Sequence, residues 1–197
     1  LRGRCRDCGE PISWRYPLGE AVTAALFAAV AAMDGLSWLL VPHLLFVSAL
    51  IVVSQVDLEK KIIPDIVILP VAALGLPLMI VLGSAPWWQW PVAGLGAAGF
   101  LFLISEVYYR IRHVEGMGFG DVKLALCMGV YLGPAVVPAL FLGFLSGASV
   151  GVILIGGRRG GGKTAIPFGP FLAVGAILAL FFGGALIDAY LGLVFPS

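Results

Sequence analysis

Charge is scarce in this chain: Asp, Glu, Lys and Arg make up 12% of its 197 residues, against about 25% in a typical soluble domain. That is too little to cover a water-facing surface. With 60% hydrophobic residues and a mean hydropathy of +1.05, the chain belongs in a bilayer. Its net charge of +1 carries no information about partners; the information lies in where the charges fall. Cysteine is also sparse, with Cys5 and Cys8 in one CxxC pair and Cys127 isolated in an apolar run. A structural zinc site takes four ligands, so these residues supply half of one. His43 and His113 are the only two histidines and have no metal-ligand spacing. His43 is expected to pack in the interior and His113 to sit in a solvated loop, where it could tune nearby electrostatics. The first residues are polar and Arg-rich, so they are not expected to act as a signal peptide. The chain starts with Leu in the middle of a Cys motif, and the expectation is a piece of a longer protein.

What the chain has in quantity is long apolar runs. A helix needs about 20 such residues to cross the hydrocarbon core, and runs at 18–35, 38–56, 66–82, 91–109, 122–133, 135–155 and 168–191 are the candidates. The predicted fold is all-α, a polytopic membrane bundle of about seven transmembrane helices. The fifth run is short, about 18 Å as a helix. Charge segregation argues that it spans. With the N-terminus cytoplasmic and all seven runs crossing, every Lys and Arg falls on the cytoplasmic side, and the opposite side keeps only Asp34 and Asp188. Trp87, Trp88 and Trp90 fall between the third and fourth runs, where interfacial anchors are expected. Gly94, Gly96, Gly99, Gly143, Gly147 and Gly151 suit close helix packing.

Two aspartates stand out against this background. Asp57 ends the second run, in VDLEKKIIPD, and Asp121 opens the fifth, in GMGFGDVKL. The topology puts both at one membrane face. An ionisable residue beside a membrane helix is costly and so is a functional candidate. Peptide hydrolysis without a nucleophilic side chain needs one carboxylate to take a proton from water and one carboxylic acid to give one. Two nearby aspartates sharing a proton supply both, since like charges a few ångströms apart do not both ionise cheaply. Glycines at 116, 118 and 120 would allow close backbone approach or positive φ. The plainer readings are a solvated helix-end acid for Asp57, paired with Lys60 or Lys61, and a helix N-cap for Asp121.

These residues carry a resemblance. Asp57 followed by Ile63-Pro64-Asp65, the GxGDxK block Gly118-Phe119-Gly120-Asp121-Val122-Lys123, IPFGPFLA at 166–173, and CRDCG followed by PISWRYPLGE occur in the order seen in type IV prepilin peptidases, and the likeness runs end to end. It implies a bacterial inner-membrane aspartyl endopeptidase with Asp57 and Asp121 as the catalytic pair at the cytoplasmic face. The substrates it implies are the short basic leaders of prepilins or pseudopilins. Asp65, Gly118, Gly120 and Lys123 would support the pair, Asp65 as a cap and Lys123 as a partner for a nearby carboxylate or an interfacial anchor. By the same likeness residues 1–17 are the remnant of a cytoplasmic Cys module and residues 18–197 the membrane-embedded protease domain. Fuller family members carry two CxxC pairs, whereas this chain has one, Cys5 and Cys8. Zinc is therefore expected only as a half site. In many members the region around that module is linked to S-adenosylmethionine-dependent N-methylation, so methyl transfer is not assigned to this chain. Proteolysis itself needs no cofactor.

Two other classes fit less well. A GxGD protease of the presenilin or signal-peptide-peptidase kind would carry a YD pair and a PAL motif, and the chain has neither. A proton- or cation-coupled transporter would use aspartates as relays, but no internal repeat is evident. Residues 157–164 match the P-loop spacing GxxxxGK[ST] at every position. A P-loop needs a strand before it and a helix after it, and this segment joins two membrane runs. It reads as a basic loop for anionic lipid head groups, with no nucleotide and no nucleic acid expected.

Overall fold

The computed structural model describes residues 3, 10, 13–113, 117–156 and 167–194. Among them all regular structure is helical: α1 (Arg15–Asp34), α2 (Leu40–Lys60), α3 (Asp65–Leu82), α4 (Gln89–Arg112), α5 (Phe119–Leu132), α6 (Val136–Gly156) and α7 (Gly169–Val194), with a 3₁₀ turn, Gly133–Ala135, between α5 and α6. Large apolar side chains such as Leu74, Phe100, Leu103, Phe141 and Leu193 stand exposed around the bundle. Water-soluble monomers rarely present such a surface; hydrocarbon accommodates it.

Six stretches among the described residues are long and apolar enough to cross a membrane, and one of them, Phe119–Ile153, covers α5 and most of α6. The chain reverses inside that stretch. Gly133 takes φ +54°, a conformation open to glycine, and Pro134 follows it. Beyond the turn α6 runs antiparallel to α7, with Ala135 against Gly183, Ala139 against Gly175, Gly143 against Leu172 and Gly147 against Phe168. Since α7 begins beside Asp57, α6 returns to the end of the bundle from which α5 set out. The sequence expectation of a fifth and a sixth run meeting near 134 thus corresponds to a tight helical hairpin.

At the centre is α5, with ten of its 14 residues buried; α1, which buries only Val30, is the most peripheral. Close approach around the centre depends on missing side chains. A Cβ on Gly129 would collide with the Ala93 carbonyl, and one on Gly94 would press on Val130 and on the Leu126 carbonyl. Gly143 and Gly147 serve α6 and α7 in the same way, whereas Gly96, Gly99 and Gly151 face open space and are not contact glycines. The α4–α5 pair is antiparallel in a register that sets Trp90 against Gly133, Gly94 against Val130 and Ser105 against Met117, and α4 continues past the start of α5 to Arg112.

Trp90 departs from its sequence expectation, His43 sharpens one, and Tyr131 adds a contact that the sequence did not announce. Trp87 and Trp88 are exposed, as interfacial anchors would be, but Trp90 is buried as a wedge against Gly83 and Gly133. His43 is interior as expected, and its Nδ1 lies 2.7 Å from Asp34 Oδ2, tying the end of α1 to the start of α2. Tyr131 stacks on Phe46 with centroids 4.7 Å apart and donates its hydroxyl to the Val71 carbonyl at 2.9 Å, its ring filling the notch left by Gly75.

Candidate active site

The backbone punctuation that ends α2 and begins α3 places Asp57. The Lys61 amide donates to the Asp57 carbonyl at 2.8 Å as Lys61 takes a left-handed conformation, φ 55°. Pro64 then forms the extended N-cap of α3. Asp57 is left one turn inside the end of α2, facing the core at 5% exposure.

Asp121 is placed by the start of α5. The N-cap is Gly118, extended at φ −70° and ψ 145°, so Asp121 is the third helical residue and not the cap. Its amide donates to the Gly118 carbonyl at 3.1 Å, and the Gly118 amide lies against its carboxyl group. Such a return contact satisfies an N-terminal amide that the helix itself cannot. Asp121 is 8% exposed and close enough to Asp57 for the two charges to act on one another. The bundle thus brings together two carboxyl groups separated by 64 residues of sequence.

The decisive contact on Asp57 comes from α7. The Gly169 amide, at that helix's first residue, donates to Asp57 Oδ2 at 2.9 Å, fully buried. Helix N-termini carry unpaired N–H groups and a partial positive charge, which suit a carboxylate. A side chain at 169 would place its Cβ 2.8 Å from that same oxygen, so only glycine admits the approach. In the sequence Gly169 stands within IPFGPFLA as part of a family likeness, with no chemistry of its own. The available signal was a Gly-Pro pair at the mouth of an apolar run.

The supporting residues sort differently from the expectation. Asp65 is the first residue of α3 and does not cap it; its Oδ2 lies 2.6 Å from Lys123 Nζ, clamping α3 to α5. Lys123 therefore pairs with Asp65, and its ammonium also sits 5.1 Å from the centroid of the Phe119 ring. Gly120 is needed for a close approach, to Ile63, where a Cβ would come to 2.8 Å; Gly118 needs neither positive φ nor extra room. His113 closes α4 in a left-handed conformation. Gly116, Cys5, Cys8 and the 157–164 loop lie outside the described residues, among which no cluster of three or more metal-type side chains occurs. The Asp65–Lys123 pair is partly exposed, so its energetic weight is small, on the order of 1 kcal/mol or less. Asp65→Asn or Lys123→Met should lower activity only about threefold to tenfold, and the swap of Asp65→Lys with Lys123→Asp should recover much of it. A loss as deep as that of an Asp121 variant, measured at matched expression, would move this pair into the chemistry itself.

The model of the Type IV leader peptidase family matches residues 44–156, which span Asp57 to Lys123, and that of the Bacterial Peptidase A24 N-terminal domain matches residues 1–33. A "Prepilin leader peptidase/N-methyltransferase" of Aeromonas hydrophila is 39% identical over 97% of this chain and 66% of its own length. Proteins of that name from Burkholderia pseudomallei and Bacillus subtilis are 37% and 38% identical, over 93% and 96% of this chain and 60% and 75% of theirs. The chain thus spans less than two thirds of the length of the first two relatives. No solved structure matches it. With the family model covering more than half of its residues, the chain belongs to the type IV leader peptidase family.

Proposed function

We propose that this chain carries the endopeptidase activity of a prepilin leader peptidase, with Asp57 and Asp121 as an aspartyl dyad. The observation that carries the reading is that both carboxyl groups are buried at one end of the bundle, close enough for their charges to act on one another, with one oxygen of Asp57 held by the Gly169 amide. Hydrolysis follows from one shared proton. The ionised partner takes a proton from water as the water attacks the scissile carbonyl, and the protonated partner gives its proton to the departing amine. Oδ2 of Asp57 is committed to the amide, which fixes the carboxylate plane and leaves Oδ1 for water. The substrates are the leaders of prepilins or pseudopilins, as the relatives' names suggest. Methyl transfer is a separate reaction, and two carboxylates supply nothing toward it. Cys5 and Cys8 would offer two of the four ligands of a zinc site. The test is leader removal from a prepilin by the full-length protein in detergent or lipid; intact substrate under conditions where the protein is folded would overturn the reading.

The dyad end of the bundle also holds Lys60, Lys61, Arg110, Arg112 and Lys123, while Asp34 and Asp188 lie toward the other end. Positive charge marks the cytoplasmic side, so we place the dyad there, in the bacterial inner membrane. With the native cysteines replaced, a cysteine at Lys61 should be shielded from an impermeant thiol reagent applied outside, and one at Ser84 should be labelled. The opposite pattern would invert the orientation.

A further inference from the structure

Between α4 and the start of α6, at the end of the bundle away from the dyad, lies a groove of about 480 Å³. Gln89 begins α4, and Arg110 in its last turn lies about 32 Å farther along the axis, close to the thickness of a hydrocarbon core, about 30 Å. Gln89 therefore stands at one membrane surface when Arg110 stands at the other. From Gln89 the groove follows α4 past Gly96 to Phe100, about 16 Å of helix. One leaflet of the core is about 15 Å deep. The groove thus runs from a membrane surface to the middle of the bilayer.

Its chemistry changes along that path. Among the described residues lining it, only Trp88 and Gln89 carry side-chain hydrogen-bonding groups, and both stand at the surface end. The rest of the lining is apolar, with Pro134 and Val137 on the wall opposite α4. Room on the α4 side comes from Gly96, where a Cβ would meet nothing within 4 Å. Phe100 and Val137 are exposed, so the groove opens sideways to hydrocarbon. A helix about 10 Å across and equally long displaces on the order of 1,200 Å³, more than twice what the groove holds. Its length, polar mouth and narrowness together describe one hydrocarbon chain joined to a polar head. A phospholipid acyl chain has that form, and its ester carbonyl accepts from a donor such as the Gln89 amide.

We propose that this groove binds one acyl chain of a diacyl phospholipid from the leaflet away from the dyad, with Trp88 and Gln89 at the glycerol ester. The site is separate from the endopeptidase reading and does not depend on it. The probe is phosphatidylethanolamine titrated onto the full-length protein in detergent, with bound lipid counted by native mass spectrometry. Wild type should hold a single lipid per chain above the nonspecific background. Gly96→Leu fills the groove and should weaken that binding about tenfold or more. Gly99→Leu adds the same bulk where α4 also meets open space but does not line the groove, and it should bind as wild type does. Gln89→Leu should weaken binding about fivefold, as expected for one lost hydrogen bond. Melting curves give a second readout: added lipid should raise the melting temperature of wild type and of Gly99→Leu but not that of Gly96→Leu. Equal binding by wild type and Gly96→Leu, or equal loss in the two leucine variants, would mean ordinary boundary lipid and would overturn the site. A wild-type dimer that Gly96→Leu disperses would overturn it as well, by giving the face to a second copy of the chain.

Discussion

Asp57→Asn and Asp121→Asn are each expected to lower leader cleavage about a thousandfold or more while the bundle stays folded. Asn matches Asp in shape, and at position 57 its side-chain carbonyl can still accept the Gly169 amide bond seen at 2.9 Å. What it loses is the capacity to take water's proton or to hold a shareable one. Replacing one of two buried acids also removes part of the cost of burying ionisable groups, so thermal stability should hold or rise in either variant. The two residues work as one unit, and the double variant should be little worse than either single one. Activity needs one proton on the pair, so the pH profile should be bell-shaped, falling when both groups are protonated and again when both are ionised. The checks are leader loss from a prepilin, a melting curve and matched expression. Substantial cleavage by one Asn variant would remove that residue from the dyad, and by both would end the aspartyl mechanism.

The second large effect is expected at a residue with no side chain. Gly169→Ala inserts a Cβ 2.8 Å from Asp57 Oδ2 and 3.3 Å from its Cγ, closer than such atoms can rest. Either the carboxylate swings away or the start of α7 retreats. Both break the amide contact that orients the group. Displacement of a reacting group by about 1 Å is worth roughly a hundredfold in rate, and the loss should fall on kcat more than on KM. Gly175→Ala is the control, because it crowds the Ala139 carbonyl farther along the same helix. That variant should lower the melting temperature with a smaller effect on the kcat of the folded fraction. Full kcat in a folded Gly169→Ala protein would show that the amide does not hold the carboxylate.

These two sites differ in how visible they were from sequence. Asp57 and Asp121 were legible because a carboxyl group at the edge of an apolar run needs a reason to be there. Helix number and order were legible because hydrocarbon leaves the backbone few alternatives to a continuous helix. Gly169 was not legible as chemistry, since its contribution is a backbone N–H that every residue but proline possesses; only the tertiary approach makes it specific. The Lys123–Asp65 pair spans 58 residues, so no local spacing announces it. Trp90 looked like its neighbours Trp87 and Trp88 because the three share a loop junction. What separates them is Gly83 and Gly133, which open room for one indole in the interior.

The uneven lengths of α4 and α5 set what can reach the dyad. Ser105 stands level with Met117, and α4 runs on to Arg112 while Asp121 lies one turn deeper. By helix rise Asp121 is therefore about 15 Å below the rim that α4 raises. Along that flank an extended chain spans the depth in about five residues, whereas on the α2 side Asp57 lies only one turn from the helix end. The α4 overhang thus makes the approach to the pair lopsided, so that a chain entering along α4 must be extended for about five residues before it meets a carboxyl group.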